Sequence, residues 1–93
     1  MKIFFLLVVL SACAGRPLQL SEKAKDLEVY ATKPKNCHVV GKVVGTDKNG
    51  STELATNDAL NQAADLKATG IHVNQEVPNG ASRSVFATAY ECN

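Results

Sequence analysis

The 93 residues are enough for one small domain, and ten Lys+Arg against nine Asp+Glu leave a net charge of +1. No basic excess is present to grip nucleic acid or to hold an anionic surface by charge alone. Aromatic residues make up 5% of the chain, Trp is absent and small residues are abundant, so the core is modest and calls for a staple.

The chain opens on Met1-Lys2, a short positive start, followed by an unbroken apolar run over residues 3–10 and the small pair Ser11-Ala12. That is the layout of a secretory signal peptide. Arg16 and Pro17 interrupt the run well short of the roughly 20 residues a membrane-spanning helix needs. Leu10-Ser11-Ala12-Cys13 resembles the lipobox of bacterial lipoproteins. The resemblance implies that residues 1–12 are a cleaved signal peptide and that Cys13 becomes the lipidated first residue, the link to the membrane. An unlipidated secreted protein is the alternative. A lipobox cysteine is expected to carry a diacylglyceryl group and usually an N-acyl chain, which meets the need for about two chains in stable anchoring. Ala14 stands where an Asp favours inner-membrane retention in enterobacteria-like systems, so the expected location is the bacterial outer membrane, on its periplasmic face.

Once Lys2 is removed, basic and acidic side chains balance. Residues 13–26 are expected to be a lipid-anchored tether, with Gly15, Arg16 and Pro17 breaking regularity and residues 21–26 polar. A single domain over residues 27–93 follows. Residues 27–32 alternate as a short strand, with Leu27, Val29 and Ala31 against Glu28, Tyr30 and Thr32. Residues 33–36 form a turn around Pro34. Residues 37–46 form a valine-rich strand. Strict alternation puts Cys37, Val39, Gly41 and Val43 on one face and His38, Val40, Lys42 and Val44 on the other. After a turn at residues 47–50, Ser51 caps a helix that carries Glu53 in its first turn and Ala55, Ala59, Ala63 and Leu66 at helical spacing. Gly70 is expected to close it as a C′ glycine. Ile71, Val73 and Val77 alternate with His72, Asn74 and Glu76 as a half-buried strand, Pro78-Asn79-Gly80 turns, and residues 84–92 form the last strand.

The order β-β-α-β-β predicts an α+β fold, a small antiparallel or mixed sheet of three to four strands with one helix on one face. With Cys13 used for lipid, Cys37 and Cys92 remain as an even pair in an oxidising compartment and are expected to form one disulfide. If their strands are antiparallel neighbours, the last strand lies between the Cys37 strand and the Ile71 strand. Phe86 and Tyr90 are then expected to shield Gly41 and Gly45, and periodicity leaves open which face meets the helix.

Cys37-x-x-Val40-Gly41-Lys42-Val43-x-Gly45, Asn57-x-Ala59-Leu60-Asn61-Gln62-Ala63-Ala64 and the terminal Ala89-Tyr90-x-Cys92 together resemble a group of small bacterial lipoproteins built on a domain of unknown function. These are similar in layout to the Rcs envelope-stress sensor lipoprotein. The resemblance spans residues 28–92 and implies the lipid at Cys13 and the pair Cys37 and Cys92, and no catalytic residue. This chain lacks the additional cysteines and the proline-rich stalk of the stress sensor, so its signalling role is not carried over.

His38 and His72 are the only histidines, and they share no metal-ligand spacing with each other or with a cysteine. Ser51, Ser82 and Ser84 lack a G-x-S-x-G setting, and no phosphate-binding glycine loop is present. The expectation is a non-enzymatic domain without cofactor or metal, taking part in envelope interaction or in envelope integrity and stress. Its partners are the membrane through Cys13 and an envelope protein. His38, Val40, Lys42 and Val44 are the candidate partner surface. The alternative is a periplasmic small-molecule- or metal-binding module.

Overall fold

The computed structural model describes residues 20–92. A short 3-10 helix, Lys23–Asp26, leads into β1 (Glu28–Tyr30) and β2 (Cys37–Asp47). Helix α1 (Thr52–Asp65) follows, then β3 (Gly70–Asn79) and β4 (Ser82–Cys92). The sheet runs β1-β3-β4-β2, with β4 antiparallel to both β2 and β3 and β1 parallel to β3. The α+β architecture is the one the sequence predicts, with β4 lying between β2 and β3.

Helix α1 starts where Ser51 turns its backbone extended and its side chain accepts from Leu54 N at 3.1 Å. Asp47, buried at the end of β2, fixes the approach by accepting from Ser51 N at 2.8 Å. The helix ends earlier than Gly70. Lys67 takes φ 64°, its N–H bonds the Ala64 carbonyl at 3.0 Å, and Ala68 N–H reaches back to the Ala63 carbonyl at 3.1 Å. This is a Schellman cap built on lysine rather than glycine. Gly70 serves a different purpose: a Cβ there would stand 2.5 Å from the Glu28 carbonyl of β1 and 2.6 Å from the Tyr30 ring, which lies across β3.

Two bulges invert the expected faces. Val39 pairs with Tyr90 and Gly41 with Ala89, leaving Val40 as an extra residue in β2. Val73 pairs with Ala87 and Gln75 with Phe86, leaving Asn74 as an extra residue in β3. Each extra residue shifts a period-two pattern by one. Gly41, Val43, Gly45 and Asp47 therefore share a face with Ala89, Ala87, Val85 and Arg83, and this is the face that carries the helix. Phe86 and Tyr90 lie on the opposite side and shield neither glycine.

The expected strand over residues 27–32 is shorter, and its packing residue is Tyr30, with Val29 half exposed. β3 continues through Pro78, so the last turn is Gly80-Ala81, with Gly80 at φ 64° as the first position of a two-residue hairpin loop allows. Residues 20–26 do not stand off as tether. Leu20 and Ala24 pack on the core, and Ser21 N donates to Asn61 Oδ1 at 2.8 Å.

The core is alanine-rich: Ala55, Ala59, Ala63, Ala87 and Ala89 are fully or almost fully buried, and Ile71 and Val85 are the largest side chains to vanish from solvent. Small residues let the helix backbone settle directly on β2. At Gly45 a Cβ would collide with the Ala55 carbonyl and stand 2.6 Å from Ala59 N. At Gly41 the nearest obstacle is Leu66 Cδ1, at 2.8 Å, the end of a half-exposed side chain that can turn away. Gly45→Ala is expected to cost about 3 kcal/mol or more, whereas Gly41→Ala costs about 1 kcal/mol or less. Urea denaturation of the two variants measures the difference.

Candidate functional site

Cys13, the expected lipidation site, lies outside the described residues. Cys37 and Cys92 meet as direct cross-strand partners and are bonded, with a Cα–Cα separation of 4.3 Å. A polar and aromatic cluster surrounds this end of the sheet. The Tyr30 and Tyr90 rings meet edge to face at 6.4 Å. The Tyr30 hydroxyl lies 3.1 Å from Thr69 Oγ1 and 3.3 Å from Cys92 Sγ. Thr69 Oγ1 also accepts from Cys92 N at 2.9 Å and donates to the Tyr90 carbonyl at 3.2 Å, so one hydroxyl ties the end of β4 to the start of β3. The bridge closes a loop of 55 residues. Removing it with Cys37→Ala and Cys92→Ala together is expected to lower stability by about 4 kcal/mol in the chain-entropy model, read as a fall in the denaturation midpoint.

The two histidines are far apart in role. His38 is largely exposed and pairs with Glu91 at 3.0 Å across the β2–β4 ladder. The Nδ1 atom of His72 lies 3.1 Å from the Tyr30 carbonyl. No group of three or more His, Cys, Asp or Glu side chains is arranged to hold a metal among the described residues, and these residues enclose no detected pocket.

The four residues of the candidate partner surface do not share a face. The bulge at Val40 separates them: Lys42 and Val44 stand on the helix-free side, Val40 packs against the core, and His38 joins Glu91 on the other parity. What the helix-free side presents is a short ladder. Val44 faces Phe86, which faces Gln75; one rung toward the disulfide, Lys42 faces Thr88 and His72; one rung away, Thr46 faces Ser84 and Val77. Val39, Val44 and Phe86 are 54%, 42% and 40% exposed, which leaves apolar surface open to solvent. The carboxylates of the three long strands, Asp47, Glu76 and Glu91, all lie on the helix-side parity. Phe86 was not singled out by sequence reasoning, because strict alternation assigned it to cover glycine.

The free edge of β2 is closed by the helix. Gln62 Nε2 donates to the Val44 carbonyl at 2.7 Å, Gln62 Oε1 accepts from Val44 N at 3.4 Å, and Asp58 Oδ2 accepts from Thr46 N at 2.9 Å. Two helical side chains one turn apart thus occupy the outward backbone groups of alternate strand residues. Gln62→Ala is expected to free the Val44 amide and speed its hydrogen exchange about fivefold, the equivalent of one lost hydrogen bond of ~1 kcal/mol. The Val43 amide, turned toward β4, stays protected.

Comparison of the chain with family models, with curated proteins and with solved structures finds no match.

Proposed function

We propose that this chain is a lipid-anchored lipoprotein of the bacterial outer membrane, held on the periplasmic face through Cys13. Its small non-catalytic domain contributes to envelope interaction, or to envelope integrity under stress. The observation that carries the reading is the tetrapeptide Leu10-Ser11-Ala12-Cys13 at the end of an unbroken apolar run. The Cys37–Cys92 disulfide supports it, because it fits an oxidising compartment. The likeness to small envelope lipoproteins rests on the Cys37-to-Gly45 strand, the Asn57-to-Ala64 helix and the closing Ala89-Tyr90-x-Cys92.

Mass spectrometry of protein extracted from membranes tests the reading. The mature chain is expected to begin at Cys13, to carry acyl mass on that residue and to contain Cys37 and Cys92 without free thiols. Cys13→Ser should yield unacylated protein that leaves the membrane fraction. An intact leader in the cytosol, or an unmodified and freely soluble Cys13 form of the natural chain, overturns it.

A further inference from the structure

We infer that the helix-free face of the sheet, centred on Phe86 and Val44, is the surface this domain lays against the bilayer that anchors it. The inference rests on lipidation at Cys13 and adds an orientation to it.

The argument begins with length. Leu20 is packed on the core, so six residues, or seven Cα-to-Cα steps, separate the anchor at Cys13 from the folded domain. Fully extended, they reach about 25 Å. A helix layer on a sheet is about 20 Å thick, so this connection reaches around the domain to either outer face and keeps every face within range of the bilayer. At that range even a weak preference decides which surface meets the headgroups.

The surfaces differ in chemistry. The outer side of α1 carries exposed Glu53, a carboxylate that phospholipid phosphates repel, and Asp65, which Lys23 pairs at 3.5 Å. Exposed Lys67 stands beyond it, so among the described residues this side mixes charges and presents no apolar cluster comparable to Val44 and Phe86. The β2 edge is occupied by Gln62 and Asp58. On the helix-free face, β2, β3 and β4 present no carboxylate, and the cation there is Lys42, exposed and one rung from the Val44–Phe86 pair. Glu28 shares this parity only at the far margin, on β1. Apolar tips beside a lysine suit the membrane interface, where rings and aliphatic groups enter the acyl boundary and an ammonium meets phosphate. Three half-exposed apolar side chains are too few to hold a free protein on a membrane. A covalent anchor makes the second contact intramolecular, so a weak patch is enough to set orientation.

The chain contains no Trp, so one introduced Trp reports without background. The mature acylated protein is reconstituted into phosphatidylethanolamine–phosphatidylglycerol vesicles with brominated acyl chains, as Phe86→Trp, Val44→Trp or Leu66→Trp. Leu66 is as exposed as Val44 but lies on the helix side. Emission from positions 86 and 44 is expected to shift to the blue and to be quenched by the brominated chains, with position 66 unaffected. Lys42→Glu should weaken the quenching at position 86. Equal quenching at all three positions, quenching only at 66, or none at 44 and 86 overturns the inference. A blue shift that rises with protein concentration in lipid-free, unacylated protein assigns the face to a second copy and overturns it too. Acyl mass on Cys13 in the same sample separates this failure from failure of the lipoprotein reading.

Discussion

The structure depends on the close approach of helix α1 to strand β2 at Gly45. The Ala55 carbonyl and Ala59 amide occupy the space a side chain on that residue would fill. Everything nearby is scaled to that distance: Ala55, Ala59 and Ala63 on the helix, Ala87 and Ala89 on β4. Close packing of small groups gains dispersion between backbones, yet each buried methyl removes little apolar area from water. Among the described residues the largest fully buried side chains are Ile71 and Val85, so the core alone is thin. The domain makes up the difference at its perimeter, through the Cys37–Cys92 bridge, the Thr69 hydroxyl and the side chains that close the β2 edge.

The order of elements and their central strand were legible because each rests on a signal that one residue cannot erase. Valine runs, a Ser51 cap and an alanine stripe at helical spacing mark the elements. Cysteines near one end of two strands fix which strands are neighbours. The faces were not legible, for an equally physical reason. Side chains alternate with a period of two, so one extra residue reverses every assignment beyond it. In β2 the doublets Val39-Val40 and Val43-Val44 look alike in either parity, and nothing local marks Val40 as the bulge. The same holds at Asn74, after which Glu76 moves to the helix side and Val77 to the other. Glycine misled at the helix end. Gly70 was the natural terminator, but Lys67 adopts the left-handed conformation, and Gly70 is small because a tyrosine from another strand crosses it. That contact joins residues 40 positions apart and leaves no mark on local composition.

The candidate surface suffered from the same inversion. Of His38, Val40, Lys42 and Val44, the two beyond the bulge stay together and the two up to it part from them. The cross-strand neighbours that complete the exposed face, Phe86 and Gln75, come from strands whose register only the fold reveals.

A sheet has two faces and two edges to manage, and this one treats them unequally. The helix covers one face and, through Gln62 and Asp58, one edge. On the other edge β1 covers β3 over three residues, and Pro78, which has no N–H to offer, sits farther along. On the second face Tyr30 covers the end near the disulfide, where Tyr90 is buried, while Phe86 and Val44 stay open. Within the fold, such a cross-strand pair contributes about 0.2–1 kcal/mol. The next rung, Thr46 with Ser84, shows that polar side chains fill the same setting. Stability at this end comes from the opposite face, where Val85 and Ala87 are buried. The apolar character of Val44 and Phe86 therefore adds little to the folded domain, and its larger consequence lies in what the face meets outside it.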